Sequence, residues 1–155
     1  MKCIIAGSRS FAPQPRDSLA VCGEKLELID LYILNAIKES GYEITEVVSG
    51  CARGIDSGGE RWAKRMGIEI KQFPAKWMIN GGYNPRAGFQ RNKQMRIYSD
   101  CGVVVWDGQS GGSYNMIEEL RMARKPVHVY IPEILGFTYS QIKHEDMFSS
   151  PFRGK

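Results

Sequence analysis

Three short segments combine glycine with hydroxyl, arginine and acidic side chains. They are Gly7-Ser8-Arg9-Ser10-Phe11, Ser49-Gly50-Cys51-Ala52-Arg53-Gly54-Ile55-Asp56 and Asp107-Gly108-Gln109-Ser110-Gly111-Gly112-Ser113. That composition suits a phosphate. Glycine lets backbone N–H groups approach an anion closely, and a helix N-terminus adds partial positive charge. Ser8, Ser110 and Ser113 can donate further hydrogen bonds, and Arg9 and Arg53 can grip phosphate with two parallel bonds. Any one segment reads as well as a tight strand-to-helix turn, because short glycine motifs are common. Three of them converging on one crevice favour a ligand.

A fourth segment, Gly88-Phe89-Gln90-Arg91-Asn92, leads towards Met95 and Asp100. Arg91 and Asn92 can face the same crevice; otherwise Arg91 is a solvated helix-surface charge and Asp100 a turn residue, the role preferred for Asp100. Trp77, in the loop Phe73-Pro74-Ala75-Lys76-Trp77, is the candidate to stack on a base. Trp62 and Trp106 read as core. Catalysis would need an acid or base near a ribose, with Asp56, Asp107 and Glu118 as candidates beside Arg91. His128 and His144 show no partner pattern.

The elements that must position these residues alternate between strand and helix. Apolar runs at Cys3–Ala6, Ile44–Ser49, Ile68–Phe73, Gly102–Trp106 and Val127–Ile131 read as strands. Helices are expected from about Glu24 to Ser40, from near Asp56 to Gly67, from Gly88 to Ser99, and from near Ser113 to before Pro126. Residues Ser10–Gly23 read as a loop. This alternation predicts an α/β, Rossmann-like, doubly wound parallel sheet of five strands with helices on both faces. The first and fourth runs are continuously apolar and suit the centre; the third and fifth alternate and suit the edges. That gives the order 3-2-1-4-5, with the three loops on one edge at the switch point.

The 155 residues, 43% hydrophobic and 25% charged, suit one globular domain, here residues 1–131 with an appendage or tail at 132–155. A net charge of +4 favours anionic ligands, but no dense basic cluster marks a nucleic-acid interface. No secretory segment or membrane span is apparent, so a cytoplasmic protein is expected, away from membranes. The four cysteines have no zinc spacing and read as buried small hydrophobes. No metal and no resident cofactor are expected.

The segments GSRSF, VVSGCARGID, FPAKW, GFQRN and VVWDGQSGGS, in that order, resemble the YspA/cpYpsA-related SLOG family over roughly residues 2 to 131. The resemblance implies a Rossmann-like fold and a nucleotide or nucleotide-derived ligand. SLOG relatives include the LOG phosphoribohydrolases and the DNA-processing protein DprA. LOG enzymes carry an Arg-Lys-x-x-Met-x-x-x-(Ala/Ser)-Asp segment, matched here by Arg91, Met95, Ser99 and Asp100. Their Pro-Gly-Gly-x-Gly-Thr-x-Glu-Glu loop is matched at Gly112-Ser113, but the glutamate positions hold Asn115 and Met116. Glu118 and Glu119 fall further along the helix.

The first expectation is therefore a module that binds or senses a nucleotide-derived phosphate ligand. A LOG-like hydrolase of an N-glycosidic bond is second, and DprA-like binding of single-stranded nucleic acid is a third reading that is not expected. The LOG resemblance also implies a homodimer or higher homo-oligomer, and Leu28, Leu31 and Tyr32 are available to an interface.

Overall fold

The computed structural model describes residues 1–134, 137 and 138. Strand β1 (Lys2–Gly7) is followed by a single 3-10 turn at Arg9–Phe11 and by α1 (Leu19–Ser40). Then come β2 (Glu46–Ser49), α2 (Ile55–Met66), β3 (Glu69–Gln72), β4 (Met78–Ile79), β5 (Gly82–Tyr83) and α3 (Ala87–Tyr98). After these follow β6 (Cys101–Val105), α4 (Gly111–Met122), β7 (Val127–Tyr130), β8 (Glu133–Ile134) and β9 (Phe137–Thr138).

Five strands form one parallel sheet in the order β3-β2-β1-β6-β7. This is the expected order 3-2-1-4-5 once the short hairpin strands are set aside. The register pairs Ile4 with Val48 on one side and with Gly102 on the other. Every residue of β6 is buried, while the edge strand β3 is largely exposed. Successive side chains of a strand point to opposite faces. Cys3, Ile5, Val47 and Val103 therefore pack under α1 and α2, with Ile29, Ile33 and Trp62. Ile4, Ala6, Val48 and Val104 pack under α3 and α4, with Met95, Met116 and Leu120.

The structure corrects the sequence reading at several points. Helix α1 starts at Leu19, not near Glu24, because Ser18 accepts the Val21 N–H at 3.2 Å and caps it. Leu19 is 93% exposed, so the first turn has no inward stripe to announce it. The hairpin β4–β5 was not expected. Its turn is Asn80-Gly81, with φ of 51° and 78°, the pairing a two-residue hairpin turn demands. Cys3 and Cys101 are buried neighbours across β1 and β6, but Cys22 is only partly buried and Cys51 is exposed, so the reading of four buried cysteines holds for two. Strands β8 and β9 pair antiparallel; the rest of the segment expected to be an appendage, 132–155, lies outside the described residues. No helix among the described residues is long and apolar enough to cross a membrane.

Candidate functional site

A cavity of about 410 Å³ opens beyond the carboxyl ends of β1, β2 and β6. The first glycine segment supplies Gly7, Ser8 and Arg9, the second Ala52 and Asp56, and the third Ser110, Gly112 and Ser113. Helix α3 adds Gly88, Phe89, Arg91, Asn92 and Met95, and Met116 comes from α4. Trp77 and Tyr83, on either side of the β4–β5 turn, complete the wall. Their rings stack 6.2 Å apart at 8°, and the Arg9 guanidinium lies 5.5 Å from the Trp77 ring. A second cavity of about 350 Å³ shares Arg9, Ala52, Trp77 and Arg91 with the first and adds Gly50, Cys51, Arg53, Pro74 and Ala75.

Three helices begin at this edge, and none has a side-chain cap: Gly54 precedes α2, Arg86 precedes α3 and Ser110 precedes α4. An uncapped helix leaves its first N–H groups to bond water or a ligand. At α4 the reason is local. The Ser110 hydroxyl is turned towards Asp107 Oδ2, to which it donates at 2.7 Å, and accepts no N–H of its own helix. Asp107 also accepts the Ser10 hydroxyl at 2.7 Å and the N–H groups of Ser110 at 2.7 Å and Gln109 at 2.9 Å. Burial alone would raise its pKa, but these hydrogen bonds prevail and hold it down at about 2. Asp107 is a fixed anion that ties the first loop to the third, and it lines neither cavity. Ser8 accepts the Asp107 N–H at 3.0 Å, and its hydroxyl lies 3.3 Å from that of Ser113.

Arg91 is not a solvated surface charge. Its guanidinium donates to the Gly50 carbonyl, and its Nε donates to Asn92 Oδ1 at 3.2 Å. A side chain at position 50 would displace the Arg91 guanidinium and the Asp56 carboxylate. A Cβ there would lie 2.5 Å from Arg91 Nη1 and 2.8 Å from Asp56 Oδ2. Burial raises the Asp56 carboxyl to about 6, against the Ala52 N–H and the charges of Arg91 and Arg9, which pull it down. Burial also lowers the Arg91 pKa; Asp56 opposes that and Arg9 adds to it. The buried Asn92 braces the site, donating to the Gly112 carbonyl at 3.1 Å and to Asn115 Oδ1 at 2.9 Å.

The remaining expected residues stand apart. Ser49 is buried and donates to Glu60 Oε2 at 2.6 Å, bracing the turn after β2. Gly54, at φ 88°, packs against Ala12, and Gly108, at φ 81°, turns the third loop. Glu118 lies on α4, 3.4 Å from Arg121 Nη1, outside both cavity walls. Asp100 accepts the Lys2 N–H at 2.8 Å, a structural role. Trp62 is core, and the half-buried Trp106 donates Nε1–H to the Ser110 carbonyl at 3.0 Å. His128 pairs with Glu39 on the surface. Sequence reasoning missed Tyr83, which the Asn80-Gly81 turn could have announced, and it missed the apolar contribution of Met116 to the cavity. Among the described residues, no group of three or more His, Cys, Asp or Glu side chains could hold a metal ion.

No family model and no curated protein matches the sequence. Solved structures do resemble it. DNA processing protein A (DprA) from Streptococcus pneumoniae has a TM-score of 0.61 at 16% identity, over 96% of this chain and 56% of that one. DprA from Helicobacter pylori, solved for its single-stranded DNA binding mode, has a TM-score of 0.49 at 14% identity, over 95% and 73% of the two chains. The Moco carrier protein from Chlamydomonas reinhardtii has a TM-score of 0.44 at 15% identity, over 97% and 86%. This chain thus spans little more than half the length of the pneumococcal protein, and what the two share is the Rossmann-like fold.

Proposed function

We propose that residues 1–131, with 132–155 as an appendage, bind a nucleotide or nucleotide-derived phosphate ligand in the first cavity. One observation carries the reading: three glycine segments far apart in the chain meet Arg91 and Asn92 around one cavity. The uncapped N-terminus of α4, with the hydroxyls of Ser8 and Ser113, suits a phosphoryl group. Met95, Met116 and the Trp77–Tyr83 pair suit a base. Native mass spectrometry of the purified protein tests this: a bound nucleotide-sized mass is expected, and Arg91→Ala should lose it. A protein that never carries such a mass, even after incubation with nucleotides, overturns the reading.

A hydrolytic reading has one specific support. Among the described residues, Asp56 is the only carboxylate in the cavity wall, and a pKa of about 6 suits an acid or base. The positions of the LOG glutamates are otherwise used, Asn115 by Asn92 and Met116 by the cavity floor. Binding without turnover is therefore preferred. The expectation that nucleic acid is not a partner finds no support, because a DNA-processing protein shares the fold. A strand end with its phosphate offers the same chemistry and belongs in the same binding tests. The closer YspA-type relation, a cytoplasmic setting and a homo-oligomer remain part of this proposal. Tyr32 drops out of the interface: it is buried against Phe11 and Tyr130, whereas Leu28 and Leu31 are 41% and 49% exposed.

A further inference from the structure

Three arginines have carboxylate partners among the described residues. Arg61 pairs with Asp30 at 2.9 Å, Arg96 with Glu119 at 3.1 Å and Arg121 with Glu118 at 3.4 Å. Arg9, Arg53 and Arg91 are set apart by their shared position. All three line the second cavity, and among the described residues none of them forms an ion pair and none of the cavity's lining residues is a carboxylate. Arg91 Nη1 is committed to Gly50 and its Nε to Asn92, but Nη2 has no hydrogen-bond partner among the described residues. Burial and then the neighbouring Arg9 work against the charged form of Arg91, while the Asp56 carboxylate, outside that wall, opposes them. A concave pocket walled by several unpaired cations stabilises an anion, because arginine matches phosphate oxygens with paired donors.

The two cavities meet along a common wall of Arg9, Ala52, Trp77 and Arg91. One molecule can therefore occupy both. We propose that the second cavity seats a second phosphoryl group of the same ligand, so that the preferred nucleotide carries two: one at the start of α4 and one among Arg9, Arg53 and Arg91. This rests on the nucleotide reading of the first cavity and narrows it to a ligand class. The nucleoside ring lies against Trp77 and Met116, and the ligand passes over Arg9 and Arg91 into the basic lobe.

Calorimetric titration of the full chain with adenosine monophosphate, adenosine diphosphate and adenosine 3′,5′-bisphosphate tests this. At least one two-phosphoryl probe should bind roughly tenfold or more tighter than the monophosphate. Which one gains most tells whether the phosphoryl groups adjoin or flank a sugar. The advantage should collapse in Arg53→Gln. Equal affinities for all three probes, or an Arg53→Gln variant that weakens every probe by the same factor, overturn the two-seat assignment while leaving the first cavity's reading intact. If no nucleotide binds, both fall. The basic lobe has its own readout, because the exposed Cys51 lies in its wall. Inorganic pyrophosphate should slow alkylation of Cys51, followed on its peptide by mass spectrometry, and Arg53→Gln should abolish that protection. Unchanged alkylation rates contradict an anion seat there.

Discussion

Asn92 Nδ2 lies 2.9 Å from Asn115 Oδ1, joining α3 to α4 with a buried amide whose other bonds reach Gly112 and Arg91. With the Arg96–Glu119 pair, this side chain ties the two helices together at the site. Asn92→Ala should lower unfolding free energy by about 1–3 kcal/mol, since it strips partners from buried polar groups. Chemical denaturation measures it. A change within about 0.5 kcal/mol, the range of neutral surface substitutions, would contradict a bracing role.

Arg91 serves both fold and site. Read as a surface charge, it would be neutral to stability. Its bonds to Gly50 and Asn92 predict instead that Arg91→Ala costs about 1–3 kcal/mol and shifts the melting temperature down. Melting curves without ligand separate the two roles. An unchanged midpoint would mean that those bonds contribute nothing.

Asp56 sets a pH dependence. Its folded pKa, about 6, lies above the ordinary 3.8, so the folded chain holds the proton more tightly than the unfolded one. Its contribution is fully present below about pH 4 and is lost as pH rises to about 6, by roughly 3 kcal/mol. Asp56→Asn keeps an acceptor for the Ala52 N–H and should flatten that slope, gaining stability at pH 7. If wild type and Asp56→Asn show parallel stability profiles from pH 4 to 7, Asp56 does not titrate in that window.

Asp107 has the opposite sign. Its folded pKa, about 2, lies below 3.8, so its contribution is present above about pH 4 and disappears as pH falls towards 2. Asp107→Ala should destabilise the chain and free the Ser110 hydroxyl to cap α4. Backbone amide exchange at Gly112 and Ser113 should then slow relative to the rest of α4, and unchanged exchange would show that Asp107 does not hold the helix open.

Much of this was legible in the sequence. The continuous apolar runs around Ile4 and Val104 mark central strands, and the alternation around Ile70 marks an edge; the sheet order follows. The glycine segments sit at the switch point because strand-helix connections leave them no other edge. What escaped were roles decided by tertiary neighbours. Asp107 and Glu118 are equally acidic in a sequence, yet one is saturated by four hydrogen bonds and the other faces Arg121 outside the cavities. The start of α1 escaped because its first turn is solvated.

The most direct test of the central claim is a thermal melt of wild type and Arg91→Gln against a panel of nucleotides and short 5′-phosphorylated oligonucleotides. A ligand present at about a hundred times its dissociation constant should stabilise wild type by ~2.7 kcal/mol. Arg91→Gln should weaken that ligand by roughly ten- to a hundredfold. A panel in which no phosphate-bearing ligand shifts the wild-type midpoint, or in which Arg91→Gln responds as wild type does, would contradict the assignment of this cavity to a nucleotide.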